Sequence, residues 1–173
     1  DDTAQYNTAY GITALDAITT GDKNTAIGNA AGTAITEATD SVLIGYETGA
    51  AITTGVKNVA VGSFALDAAN TGQENTAIGH QALTADTKGQ RNVAVGAGAL
   101  ATQNFTSATN SYNIGVGYNA GNLITTGQSN TLIGALAGDG FDTESNNLAI
   151  GQAALGGAVA GGEYNVAIGN YTL

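Results

Sequence analysis

A glycine returns at a nearly fixed interval along the whole chain, at Gly11, Gly28, Gly45, Gly62, Gly79, Gly96, Gly117, Gly134, Gly151 and Gly169. The spacings are 17, 17, 17, 17, 17, 21, 17, 17 and 18 residues. A period this short and this regular leaves little choice of fold. Each repeat is too small to bury a face alone, so neighbouring repeats must stack and share one core. The two departures are insertions: four residues around Asn104 to Tyr112, and one around Gly156 to Gly162. Insertions in a stacked array map to loops. The expected organisation is one domain, 1–173, with a small insertion near 103–112.

The residues that travel with the glycine decide between helix and strand. Immediately before it stand Tyr10, Ile27, Ile44, Val61, Ile78, Val95, Val116, Ile133, Ile150 and Ile168, and two places earlier Thr8, Thr25, Val42, Val59, Thr76, Val93, Ile114, Thr131, Leu148 and Val166. β-branched residues at alternate positions suit a short strand, and two glycines in many periods argue against a helix. These two columns share a face, and the expectation is that it points inward, with Ile27, Ile44, Val61, Ile78, Val95, Val116, Ile133, Ile150 and Ile168 as the core ladder. A second apolar pair follows each glycine by three to four residues, as in Ala65-Leu66 and Ala82-Leu83, and is read as the opposite wall. Pairs such as Thr54-Gly55 and Thr71-Gly72 close the coil, glycine being expected to supply positive φ. The fold class is therefore all-β, a parallel β-solenoid of about ten 17-residue coils with two short strands per coil, roughly 48 Å long at about 4.8 Å per coil.

Three further columns test the stacking. Nine of ten repeats place Asn four residues before the glycine, at Asn7, Asn24, Asn58, Asn75, Asn92, Asn113, Asn130, Asn147 and Asn165, with Ser41 the exception. Amides piled at strand spacing can hydrogen-bond along the axis, so the column is read as a structural ladder. Just before the Asn, Lys23, Asp40, Lys57, Glu74 and Arg91 alternate in sign over five successive coils, as adjacent strands require if like charges are not to meet. Between the two columns read as inward lies a third, Ala26, Leu43, Ala60, Ala77, Ala94, Leu132, Ala149 and Ala167. Read as outward, it is an apolar stripe along the rod and predicts lateral self-association.

Composition narrows the function. Fourteen acidic residues against four basic ones give a net charge of −10, which argues against a nucleic-acid footprint. Residues 92–138 carry no charge but are interrupted every few positions by Asn, Gln, Thr or Ser, so they do not form a bilayer span. With no Cys and a single His, His80, thiolate chemistry and ordinary zinc sets are excluded. Asp139, Asp142 and Glu144 are the nearest thing to a cation site and are read as a solvated turn. The glycine pairs Gly96/Gly98 and Gly115/Gly117 lack the helix and Lys of a phosphate loop. No cofactor, metal or catalytic residue is expected, and the chain is read as not an enzyme. Phe105 and Tyr112 in the insertion, with Tyr46, Phe64 and Tyr118, form a candidate contact surface for a receptor or glycan. Neither end shows a polar capping segment, so either the chain continues or subunits stack end to end.

The unit Asn-Thr/Val-Ala-Ile/Val-Gly-x-x-Ala-Leu, seen in full at Asn75-Thr76-Ala77-Ile78-Gly79-His80-Gln81-Ala82-Leu83, resembles the head repeats of YadA-type trimeric autotransporter adhesins and the 17-residue repeats of phage tail-fibre proteins. The likeness extends over nearly all of the chain. It implies a left-handed parallel β-roll, commonly trimeric, serving as a rigid surface-exposed rod without catalytic residues. The functional expectation is thus a shaft segment of an extracellular or virion-surface fibre, partnered by copies of itself as a lateral trimer or bundle. A filament subunit polymerising end to end comes second. An ice- or surface-binding solenoid comes third, its Thr column being read as inward.

Overall fold

The computed structural model describes residues 4–157 and 162–172. The described part is a parallel β-solenoid without helix. Twelve short strands follow in chain order: β1 Thr8–Tyr10, β2 Thr25–Ile27, β3 Val42–Ile44, β4 Val59–Val61, β5 Thr76–Ile78, β6 Gly89–Gln90, β7 Val93–Val95, β8 Thr109–Asn110, β9 Ile114–Val116, β10 Thr131–Ile133, β11 Leu148–Ile150 and β12 Val166–Ile168. Ten form one sheet in the order β1-β2-β3-β4-β5-β7-β9-β10-β11-β12, every pair parallel. The register joins like to like: Ile27 pairs with Ile44, Ile44 with Val61, Val61 with Ile78, and Val95 with Val116 across the four-residue insertion. Each coil is tied to both neighbours, as where the Thr25 N–H donates to Ser41 O (2.8 Å) and the Gly28 N–H to Tyr10 O (2.7 Å).

The opposite wall is not a second sheet. It is a run of turns, and strand pairing outside the main sheet is confined, among the described residues, to β6 with β8 at the insertion. Left-handed corners are the cause. The residue before each Asn, the second residue after each repeat glycine and the fourth all take φ near +55°, as at Lys57, Phe64 and Leu66. Three such corners per coil bend the chain too often for a second strand to extend. The repeat glycines are a different case, with φ between +129° and +142°, a region essentially closed to other residues. A Cβ on Gly79 would sit 2.5 Å from the carbonyl carbon and oxygen of Gly96, so successive backbones along the glycine column also approach too closely for a side chain.

The faces of the sheet are the reverse of the sequence expectation. Ala26, Leu43, Ala60, Ala77, Ala94, Leu132 and Ala149 are completely buried and Ala167 nearly so, whereas Ile27, Ile78 and Ile133 are 38–39% exposed and Ile168 is 65% exposed. The expected core ladder of Ile27, Ile44, Val61, Ile78, Val95, Val116, Ile133, Ile150 and Ile168 is a ladder, but it lies on the outside. The expected lateral interface of Ala26, Leu43, Ala60, Ala77, Ala94, Leu132, Ala149 and Ala167 is the inner face. Side chains alternate strictly along a strand, so an error of one position inverts the whole sheet.

A small residue suffices inside because the coil is thin and the turn wall fills it. Leu66, Leu83, Leu100 and Leu155 come from that wall and are buried against the Ala column. Where the sheet contributes a larger residue, the wall gives way. Gly32 and Gly49 flank Leu43, and a Cβ on either would lie within 3 Å of a Leu43 methyl; Gly121 and Gly138 stand in the same relation to Leu132. In those same four coils Ile35, Ile52, Ile124 and Phe141 complete the packing. A large residue on one wall thus faces a small one on the other, as close packing demands.

The turn glycines also differ from expectation. Gly21, Gly55, Gly72, Gly89 and Gly127 are not among the residues with positive φ. Space explains them: a Cβ on Gly55 would meet the Gly72 carbonyl oxygen at 2.2 Å, and one on Gly127 the Glu144 oxygen at 2.2 Å.

Candidate functional surface

The buried Asn column is the spine of the rod. In each regular coil the Asn side chain uses both ends of its amide. Asn58 Oδ1 accepts the Asn75 backbone N–H (3.0 Å), while Asn58 Nδ2 donates to Gly72 O (2.8 Å), a turn carbonyl 14 residues ahead. Asn24, Asn113, Asn130 and Asn147 repeat the pattern, and Asn75 donates to Gly89 O. Direct amide-to-amide bonds occur as well, at Asn92 to Asn75 (3.1 Å), Asn130 to Asn113 (3.3 Å) and Asn165 to Asn147 (3.1 Å). Ser41, the one departure in the column, keeps the chain of acceptors intact: its Oγ accepts the Asn58 N–H at 3.2 Å. The ladder read from the sequence is therefore structural, and its main partners are backbone groups. The Asn is inward, and with it every second residue: this parity assigns the sheet faces.

Outward of the sheet lies the surface that remains. Its two columns are the residue before each glycine and the Thr/Val/Ile/Leu column two places earlier, so the Thr residues at 8, 25, 76 and 131 face outward as well, contrary to expectation. Within the described residues nothing in the chain folds back over this face. It presents Ile or Val from β2 to β12 in one straight row and an alternation of Thr with aliphatic residues in the other.

One edge of this face carries the alternating charges, all exposed. Glu74 and Arg91 form the only salt bridge among the described residues, at 2.8 Å. The bond from the Arg91 guanidinium, and then its charge, hold the Glu74 carboxyl below the usual range, and Glu74 in turn raises Arg91. Arg91 continues to Tyr112, donating to its hydroxyl at 3.0 Å with the guanidinium 5.8 Å from the ring centroid. Beyond the other edge, Tyr46, Phe64 and His80 lie in successive coils in edge-to-face contact, with centroids 5.3 and 6.2 Å apart. His80 is thus the end of a short aromatic row.

The candidate contact pair does not come together as one surface. Tyr112 is 50% exposed, but Phe105 is only 5% exposed, its side chain turned into the coil where the insertion begins. Asp139, Asp142 and Glu144 do not converge either: Glu144 is buried and caps the N–H groups of Asp142 and Thr143 (2.7 and 3.1 Å), and no group of three His, Cys, Asp or Glu suited to a metal ion occurs among the described residues. Burial raises the Asp139 carboxyl.

Two arrangements escaped the sequence reading. Along the turn wall Thr19, Thr36, Thr53, Thr87 and Thr125 donate their hydroxyls to the next coil, for example Thr19 to Thr36 O (2.9 Å) and Thr53 to Asn70 Oδ1 (2.6 Å). The other is a buried polar group around Asp86 and Gln103. The signal for it was present: seven places after the repeat glycine stand Ile18, Ile35, Ile52, Ala69, Asp86, Gln103, Ile124 and Phe141, a core column that turns polar only beside the insertion.

The fold is that of a stacked repeat protein, a parallel β-solenoid. Comparison of the chain with models of known families, with curated proteins and with solved structures finds no match.

Proposed function

We propose that this chain is a non-enzymatic structural rod, a shaft segment of a fibre on a cell or virion surface, whose copies associate side by side through the outward face of the ten-stranded sheet. The observation that carries this reading is that face itself: an uncovered apolar row running through the stack, with Ile27, Ile78 and Ile133 each more than a third exposed. Contiguous apolar surface of this kind marks a contact in soluble proteins, and β-branched side chains on a sheet give a flat surface that a second sheet can approach. The expected partners are therefore copies of the chain, in a trimer or bundle. The Ala column cannot serve, because it is already the core. A receptor or glycan contact would draw on the exposed Tyr46, Tyr112 and Tyr118 and not on Phe105.

A surface-binding role gains one observation, since the Thr column now faces outward. Only four of its ten members are Thr, however, and the rest are aliphatic, a composition better suited to packing than to an ordered water array.

Sedimentation velocity on the chain and two variants tests the reading. Val61→Lys should leave the circular-dichroism spectrum unchanged and convert an oligomer to monomer. Ala60→Lys should unfold the rod. A wild-type chain that stays monomeric at high concentration, or an oligomer indifferent to Val61→Lys, overturns lateral association. Negative-stain images separate the alternatives for the ends: discrete short rods for a shaft, long unbranched fibres for end-to-end polymerisation. Thermal hysteresis in the monomeric wild type would favour the surface-binding reading.

A further inference from the structure

The four-residue insertion interrupts a stack that otherwise satisfies its own backbone coil by coil. At the break the chain places a carboxylate in the core. Asp86 is 1% exposed; its Oδ1 accepts the Gly89 N–H (2.8 Å) and the Phe105 N–H (3.1 Å), and its Oδ2 accepts Gln103 Nε2 (2.6 Å). Gln103, completely buried, accepts a hydrogen bond at its Oε1 from Asn113 Nδ2 (2.8 Å) and so joins the group to the Asn ladder. Thr87 closes the same junction from outside, donating to Asn104 Oδ1 (3.1 Å) and Phe105 O (2.9 Å). Phe105 is thereby anchored at both its N–H and its carbonyl before the chain leaves the core. From Thr106 the loop is exposed, and it returns through β8, paired with β6 at Gly89 and Gln90.

Burying a carboxylate without a cation is costly, and apart from Gln103 the same column holds Ile, Ala or Phe in the other described coils. Isosteric aliphatic residues would fill the core equally well but could not accept the N–H groups that the insertion strands there. The polar pair is thus explained by the insertion and not by the rod.

We propose that Asp86 and Gln103 form a polar clamp that fixes the insertion as a unit separate from the coil stack, so that breaking the clamp frees residues 104–110 while the rod remains folded.

The test is hydrogen exchange, read by mass spectrometry on the full chain, for wild type and for the double variant Asp86→Leu, Gln103→Leu, which restores an apolar column. Exchange in 104–110 and at 88–90 should accelerate roughly tenfold or more, with coils 24–62 and 130–151 unchanged and the melting temperature held or raised. Unchanged exchange in 104–110 of a folded double variant overturns the proposal. So does acceleration spread evenly over all coils. Should the variant fail to fold, wild-type exchange in increasing sub-denaturing urea decides: a clamp requires 104–110 to open before the flanking coils, and opening only with them refutes it.

Discussion

The coils from β2 to β5 and the stretch from Asp86 to Asn113 solve the same problem in opposite ways. In the first region the strands pair in a register of 17 residues, and the buried polar side chains are the Asn ladder, with Ser41 in it, and Thr48, whose hydroxyl donates to Gly62 O. In the second the translation fails by four residues, and individual side chains take over: Asp86, Gln103, Ser111 and Tyr112 make side-chain hydrogen bonds that the coils from β2 to β5 lack, and Thr87, one of the repeated hydroxyls, adds a bond to Phe105 O. Ser111 shows the change most economically, its hydroxyl donating to Asn92 Oδ1 at 2.9 Å beside the Asn113 N–H that the ladder would place there. Regularity distributes stability over columns; irregularity concentrates it in side chains.

The comparison is broken most severely by Gly79→Ala. A methyl group placed 2.5 Å from the Gly96 carbonyl, at φ +135°, should cost about 3–5 kcal/mol, the sum of backbone strain and overpacking, seen in the denaturant midpoint. The uniform region admits no local relief, so the loss should appear in one cooperative transition. Next comes the ladder. Asn75→Ala orphans the Asn92 N–H and the Gly89 carbonyl, at roughly 1–3 kcal/mol per group, whereas Asn75→Ser should recover about half by keeping an acceptor, as Ser41 does. Equal losses for the two variants would mean that the ladder works by packing alone.

The smallest effect is the sharpest discriminator between the regions. Burial raises the Asp86 carboxyl in the folded chain above its unfolded value. Ionisation therefore opposes folding there: the contribution is most favourable below the unfolded pKa and is lost as pH rises through the folded one. Glu74, lowered by Arg91, runs the other way, its contribution being lost as pH falls. The urea midpoint of wild type minus that of Asp86→Asn, followed from about pH 4 to about pH 8, isolates the first effect and should decline with rising pH. A flat difference removes the buried charge from the account.

Much of the fold was legible in advance because a translation of 17 residues shows in the sequence directly, and with it the parallel register and the stacked columns. The faces were not. Period-two alternation says which residues lie together but not which group is inside, and β-branched bulk favoured the wrong one. The deciding fact was polar: Asn58 is buried because its amide meets the Gly72 carbonyl, and Ala60, two places on, must then be buried too. That partner is 14 residues distant and invisible to a column-by-column reading. Phe105 was misplaced for a related reason, since an aromatic residue in a loop looks exposed until the carboxylate that pins its backbone is found in the preceding coil. The Thr-Gly turns were located correctly but for the wrong cause, crowding by the next carbonyl and not chirality.

The exchange of bulk between Leu43 or Leu132 on the sheet and the glycines facing them makes the coils unlike each other in spite of their common length. A duplicated or deleted lap is absorbed most easily where neighbouring laps set Ala on the sheet against Leu on the wall, as at Ala60 with Leu66 and Ala77 with Leu83, short of the polar junction at Asp86. The same event beside Leu43 or Leu132 would set two bulges, or two hollows, against one another. Growth and shrinkage of such a rod are therefore easiest between laps of matching interior and hardest beside the bulky sheet residues and the polar junction.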